Sequence, residues 1–180
     1  MDHEEARLIL REVATRAREA AGVLCRTPSP AKDRALGAIA AGLRSATARI
    51  VAENTWDTAA ARAGGMAAAL VDRLRLDPAR VEAMACAVED IARLPDPVGE
   101  VGETAIRPNG LRVSRMRVPL GVIGIVFEAR PNVVGDAAAL CLKSGNAMIL
   151  RGGSEAARSN CVLGEVIAQA LAATGLPEGC

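Results

Sequence analysis

The sequence predicts an α/β fold: a mainly helical segment over residues 1–97, then the first part of a doubly wound domain over residues 98–180. Two observations carry this. Apolar residues recur at helical spacing up to about Leu94, and beyond Val98 two short, almost wholly apolar runs alternate with helical stretches. Composition agrees, because 51% of the 180 residues are hydrophobic, enough for a packed core. Trp56 and Phe127 are the only aromatic residues, so that core is built from Ala, Leu, Val and Ile.

The first helix opens on Asp2 and Glu5, which resemble a capping box, and presents Leu8, Ile9, Val13, Ala17, Ala20 and Leu24 on one face. Arg26–Pro30 interrupts it. Ser29-Pro30 predicts a restart, with Ser29 as N-cap and Pro30 in the first turn. The next stripe is Leu36, Ile39, Ala40 and Leu43, with Ile50 joining after a break. Gly64-Gly65 marks a turn, and Met66–Leu76 reads as a short helix. Asp77-Pro78 opens another, carrying Val81, Met84, Ala85, Val88 and Ile91, and Leu94-Pro95-Asp96-Pro97 closes this half.

Leu111–Val118 then reads as extended. Gly121–Phe127 and Ala147–Leu150 suit strands of a parallel sheet covered on both faces. Between them the Glu128–Asn132 turn leads into a helix from Val133 to Lys143 that Gly145 ends. After Arg151-Gly152-Gly153, Ser154 is the expected cap of a helix running to about Thr174.

With 22 Lys+Arg against 21 Asp+Glu, the net charge of +1 gives no footprint for nucleic acid. Lys32 and Lys143 are the only lysines, a bias read here as a composition habit. No apolar run approaches the ~20 residues that cross a membrane, and the acidic N-terminus is unlike a secretory signal. The expected location is the cytoplasm. Cys25, Cys86, Cys141, Cys161 and Cys180 are widely spaced, which argues against a disulfide scaffold; with His3 the only histidine, no zinc cluster forms. The expectation is that these cysteines pack as small hydrophobes.

Ligands of open α/β sheets bind beyond the carboxyl ends of the strands, and two loops hold that position. In the first, Pro131 biases Arg130 away from helical geometry and stiffens the turn. Asn132 has two readings here: cap of the following helix, or an amide free to donate to a ligand. The second loop is Arg151-Gly152-Gly153-Ser154-Glu155. Its glycines let backbone approach a ligand, and the helix start offers N–H groups to an anion. Arg151 is suited to a phosphate and Glu155 to a ribose hydroxyl. Equally, Gly-Gly between strand and helix is an ordinary turn, since neither GxGxxG nor a P-loop is present.

The segments EARPNV, DAAALCLKSGNA and ILRGGSEA, within RVPLGVIGIVFEARPNVVGDAAALCLKSGNAMILRGGSEAARSN, closely resemble the gamma-glutamyl phosphate reductase (glutamate-5-semialdehyde dehydrogenase) family. LVDRLRLDPARVEAMA, LPDPVGEV and RPNGLRVSRMRVPLG extend the likeness through the helical half. The resemblance implies a Rossmann-like cofactor domain of the aldehyde dehydrogenase type, truncated, since the chain covers less than half of the family's length. It also implies NADPH-dependent reduction of L-glutamate 5-phosphate to L-glutamate 5-semialdehyde in proline biosynthesis. There a cysteine thiolate displaces phosphate and the thioester takes hydride from the cofactor.

On that reading Asn132 is an oxyanion donor, and Arg151, Gly152, Gly153, Ser154 and Glu155 meet the adenosine end of NADP(H). Arg130 serves the substrate's phosphate or carboxylate, or else makes a structural ion pair. No metal is implied. The full-length protein would form a homo-oligomer and contact glutamate 5-kinase. The nucleophilic cysteine would lie beyond residue 180, which predicts an N-terminal fragment inactive alone. The family usually has Thr-Val where Val134-Gly135 stand, and Gly135 near a helix start loosens it by up to ~1 kcal/mol. The alternative reading is a non-catalytic nucleotide-binding or partner-binding module derived from that family. A helical interaction protein would account for residues 1–94 but leave both loops without purpose.

Overall fold

The computed structural model describes residues 2–179. Five helices come first: α1 (His3–Leu24), α2 (Ser29–Ser45), α3 (Thr47–Ala63), α4 (Ala68–Leu74) and α5 (Pro78–Arg93). A hairpin of β1 (Ala105–Ile106) and β2 (Arg112–Val113) follows. The chain then runs β3 (Val122–Phe127), α6 (Asn132–Lys143), β4 (Ala147–Gly152), a 3-10 turn (Ser154–Ala156) and α7 (Ala157–Ala173). The strand–helix–strand–helix order is the one the sequence predicts, and β3 pairs with β4 in parallel, from Val122 opposite Ala147 to Phe127 opposite Gly152.

One core crosses the boundary near residue 97. Leu24, Leu36, Ile39, Leu43, Val81 and Val88 from the helical half join Val134, Ala139, Leu142, Val162 and Leu163 from the second half. The two textures of the sequence therefore fold as one packed unit, and the helices of the first half serve as one wall of the sheet's surroundings. α2 and α3 are separated at Ala46 and bent by 66°; no single helix among the described residues is long and apolar enough to cross a membrane.

Several expectations need correction. The stripe of α1 is buried only at its C-terminal end: Leu8, Ile9 and Val13 are exposed, while Ala17, Ala20, Ala21 and Leu24 enter the core. Asp2 does cap α1, its carboxylate accepting from the Glu4 and Glu5 amides at 2.7 and 2.9 Å. Ser29 is the first residue of α2 and not its cap; Pro28 holds the cap position in extended geometry. The extended stretch 111–118 yields only two strand residues, in a hairpin exposed throughout its strands. β3 is covered on one face only, since Val122 and Val126 are exposed (38% and 72%). Its alternate residues, Ile123, Ile125 and Phe127, are half-buried.

Gly135 has a packing reason. A Cβ there would lie 2.7 Å from Met84 Cγ and 2.8 Å from Met84 Sδ, so the missing side chain is what lets α6 approach α5. Gly135→Val should destabilise the chain by about 1–3 kcal/mol through overpacking. Urea denaturation measures it, and adding Met84→Ala should recover part of the loss. A Gly135→Val variant as stable as the parent would show that the two helices part freely.

Candidate functional site

The parallel register brings the carboxyl ends of β3 and β4 level, and the two loops leave the sheet side by side. They are also tied together. Ala129 is buried and left-handed, with φ 46°, a conformation that strains a non-glycine residue by about 1–3 kcal/mol. Its N–H donates to Glu155 Oε1 at 2.5 Å, a charge-assisted bond that holds the strained turn against the second loop. Sequence reasoning placed the turn but missed its left-handed residue, because Ala does not signal positive φ.

Asn132 is not a helix cap. It is the first residue of α6, and Pro131 before it already has helical angles (φ −62°, ψ −23°). The first amides of α6 turn back on the loop: Val133 N–H donates to Arg130 O at 3.0 Å and Val134 N–H to Pro131 O at 3.1 Å. With those donors satisfied by backbone, the Asn132 amide is released from capping. It is exposed, and its Nδ2 donates at 3.4 Å to Asp136 Oδ2, one turn along the helix. Burial pushes the Asp136 carboxyl up from its ordinary range, against the opposing pull of that Asn132 bond.

The second loop differs from its sequence reading. Arg151 and Gly152 still belong to β4. Ser154 does not cap the following helix; it begins the 3-10 turn. The cap of α7 comes from elsewhere: Asp57 on α3 accepts from Arg158 N at 3.4 Å, Ser159 N at 2.8 Å and Ser159 Oγ at 2.7 Å. Two amides expected to be free for an anion are therefore taken by a buried carboxylate of the helical half. Ser159 Oγ in turn accepts from Asn54 Nδ2 at 3.0 Å, which locks α7 to α3.

The two glycines are not equivalent. A Cβ on Gly152 would run into the Asn160 amide and lie 3.1 Å from Phe127 Cζ, both parts of the fold. A Cβ on Gly153 would run into the Glu155 carboxylate, the group that holds Ala129. Arg151 and Arg130 are exposed, and neither side chain has a hydrogen bond or ion pair among the described residues. The ion-pair reading of Arg130 is thus not realised.

Beside Asn132 opens a cleft of about 390 Å³, lined by Arg73, Arg75, Arg80, Met84, Asn132 and Asp136 among others. Sequence reasoning placed LVDRLRLDPARVEAMA on helices but did not see that α4, the α4–α5 turn and α5 bring three guanidiniums to the start of α6. A somewhat larger groove of about 470 Å³, on the Arg62 and Met66 side of α4, contains neither loop. Among the described cysteines only Cys141 is buried, and burial pushes its thiol up. Cys25, Cys86 and Cys161 are exposed, contrary to the packing expectation, and Cys180 lies outside the described residues. None of the four described cysteines lines the cleft beside Asn132.

No protein-family model matches the chain. A gamma-glutamyl phosphate reductase of Thermobifida fusca is 57% identical over 168 residues, which is 93% of this chain and 40% of that protein. One from Parvibaculum lavamentivorans is 50% identical over 177 residues, 98% of this chain and 42% of the relative. The crystal structure of the Thermotoga maritima gamma-glutamyl phosphate reductase superposes with a TM-score of 0.90 at 43% identity, over 94% of this chain and 41% of that one. A probable aldehyde dehydrogenase from Listeria monocytogenes shares the fold alone, with a TM-score of 0.72 at 17% identity over 96% of this chain and 35% of its own. The chain spans about 40% of the length of the curated relatives it matches.

Proposed function

We propose that this chain, homologous to part of the gamma-glutamyl phosphate reductases and folded like the corresponding part of an aldehyde dehydrogenase, supplies the oxyanion donor and one wall of the cofactor site. The reaction is reduction of L-glutamate 5-phosphate to the semialdehyde in proline biosynthesis. The observation that supports this best is identity of 50–57% to gamma-glutamyl phosphate reductases over at least 93% of the chain. The local chemistry is in keeping with it. Asn132 stands outside the backbone ladder with an exposed amide, so it can donate to an acyl oxygen as charge develops there. Arg130, exposed and unpaired, is suited to the phosphate of the substrate.

NADPH, when bound, supplies the hydride; the residues that would hold it are those of the second loop. Their fit rests on the uncommitted Arg151, suited to a phosphate, and on Gly153, whose missing side chain leaves the space that the Glu155 carboxylate occupies. Glu155 already accepts from Ala129, so it fixes the loop's shape through one oxygen while the other remains for a ribose hydroxyl. The Asp57 cap leaves the loop's own backbone and Arg151, rather than the start of α7, to meet an anion. The cysteine nucleophile is not assigned to any described residue. In this reading the whole protein is a cytoplasmic homo-oligomer that contacts glutamate 5-kinase.

NADPH titration of the purified chain, followed by cofactor fluorescence, tests the loop. Gly153→Val should raise Kd at least tenfold, by blocking close backbone approach and displacing the Glu155 carboxylate, in a variant whose cooperative thermal transition shows that it is folded. Gly152 is the wrong probe, because its substitution strikes Asn160 and Phe127. An unchanged Kd in a folded Gly153→Val variant would remove the loop from the cofactor site.

A further inference from the structure

The cleft between α4, α5 and α6 has a charge arrangement that the reading above does not use. Three arginines line it, but two are committed. Arg80 reaches Asp72 Oδ1 at 3.0 Å and the Arg75 carbonyl at 2.9 Å. Arg75 lies 3.4 Å from Asp77 and 3.8 Å from Asp72. Arg73 is exposed and has no hydrogen bond or ion pair among the described residues, so its guanidinium is the one free to take an anion. On the facing helix Asp136 is half-buried, and its sole hydrogen bond is the long one from Asn132. One cleft of about 390 Å³ therefore offers a free cation, a carboxylate short of partners and an amide donor.

We propose that this cleft reads the amino-acid end of the substrate: Arg73 pairs with its α-carboxylate and Asp136 with its α-ammonium, while Asn132 meets the carbonyl. The proposal rests on the reductase reading and makes its substrate recognition specific. The placement suits it. Asn132 and Asp136 stand four residues apart on one face of α6, ~6 Å along the axis, and their side-chain groups meet at 3.4 Å, so one ligand in the cleft reaches both. The signs are complementary as well. A zwitterionic head needs one group of each charge, and the pairing of Arg75 and Arg80 with Asp72 and Asp77 offsets positive charge that would otherwise repel the ammonium. Arg is the fitting residue for a carboxylate because its planar fork binds two oxygens at once. Burial disfavours the charged Asp136 carboxylate, a cost that a bound ammonium would offset.

L-glutamate γ-methyl ester carries the α-carboxylate, the α-ammonium and a γ-carbonyl without a phosphate, and monomethyl glutarate lacks only the ammonium. Titrated into the isotope-labelled chain, the L-ester should shift the backbone amide resonances of residues 73, 132 and 136. Arg73→Ala should weaken it at least tenfold. Asp136→Asn, which keeps the shape of the side chain, should abolish the preference for the L-ester over monomethyl glutarate. NADPH is titrated into the same samples. Ester binding that ignores Arg73→Ala and Asp136→Asn, or no shift at these residues with millimolar ester, overturns the cleft proposal. If NADPH still binds, the reductase reading survives that result. Ester binding that depends on Arg73 in a chain that takes no NADPH supports the cleft and removes the cofactor reading instead.

Discussion

Lys32→Met should cost the fold about 3–5 kcal/mol, most of the stability of an ordinary domain. Lys32 has no solvent exposure, and its ammonium lies 2.5 Å from Asp96 Oδ2 and donates to the Lys143 carbonyl at 3.1 Å. Asp96 is also held by Ser29 Oγ at 2.6 Å and Val98 N at 2.9 Å. Lys143, 5% exposed, donates to Asp33 Oδ1 at 2.6 Å and to the Ala92 carbonyl at 2.7 Å. The pair joins α2, the end of α5, the linker after it and the C-terminus of α6. Methionine replaces the apolar stem, so little cavity forms. What is lost is the charge, leaving a half-buried carboxylate and a buried carbonyl short of a donor.

Urea denaturation at neutral pH measures the loss, and a pH series identifies its source. Burial raises the Asp96 carboxyl, but the bonds from Lys32, Ser29 and Val98 outweigh it and hold the group below the usual carboxylate range. A depressed native pKa gives stability that is full above the unfolded value and lost as pH falls through the folded one. The parent should therefore lose stability below the ordinary carboxylate range, and Lys32→Met should lose much less there. Adding Asp96→Asn to Lys32→Met should recover part of the deficit, since it removes the uncompensated charge. A loss under about 1 kcal/mol in Lys32→Met would show that the pair merely fills space.

That the only two lysines form this lock shows where sequence reading stopped. Their rarity was visible, but their meeting depends on residues 29, 33, 92, 96 and 143 converging, and no local pattern encodes that. Helices were legible because their stripes, such as Leu36–Leu43 and Val81–Val88, repeat at helical spacing and end in the core. The parallel strands were legible as short apolar runs. The one-sided cover of β3 was not, because an apolar run does not say how many layers surround it. The caps failed where tertiary contacts replaced local ones. Asp57, a full helix away in the core, did what Ser154 was expected to do. Backbone bonds from the loop filled the capping role that was one of the two readings of Asn132. The positions of both candidate loops were legible from strand order alone. The arginine cleft was not, since it forms only when α4 and α5 fold over the start of α6.

Asn132→Ala should lower kcat by about 10²–10³ when this chain replaces the matching segment of the Thermobifida fusca reductase, the usual loss for one oxyanion donor. The structure separates this from a stability effect. Asn132 caps nothing, is exposed, and gives its amide only to Asp136 at 3.4 Å, so truncation removes one long surface bond. The melting temperature of the chimera should move little, and NADPH affinity should be unchanged because the second loop lies on the other strand. KM for L-glutamate 5-phosphate should also change less than kcat, since an oxyanion exists only after the carbonyl has been attacked. Asp136→Asn should behave differently, raising KM more than it lowers kcat if that carboxylate meets the ammonium. Near-normal kcat in Asn132→Ala, with a lowered melting temperature, would assign Asn132 to the support of α6 and move the oxyanion donor elsewhere.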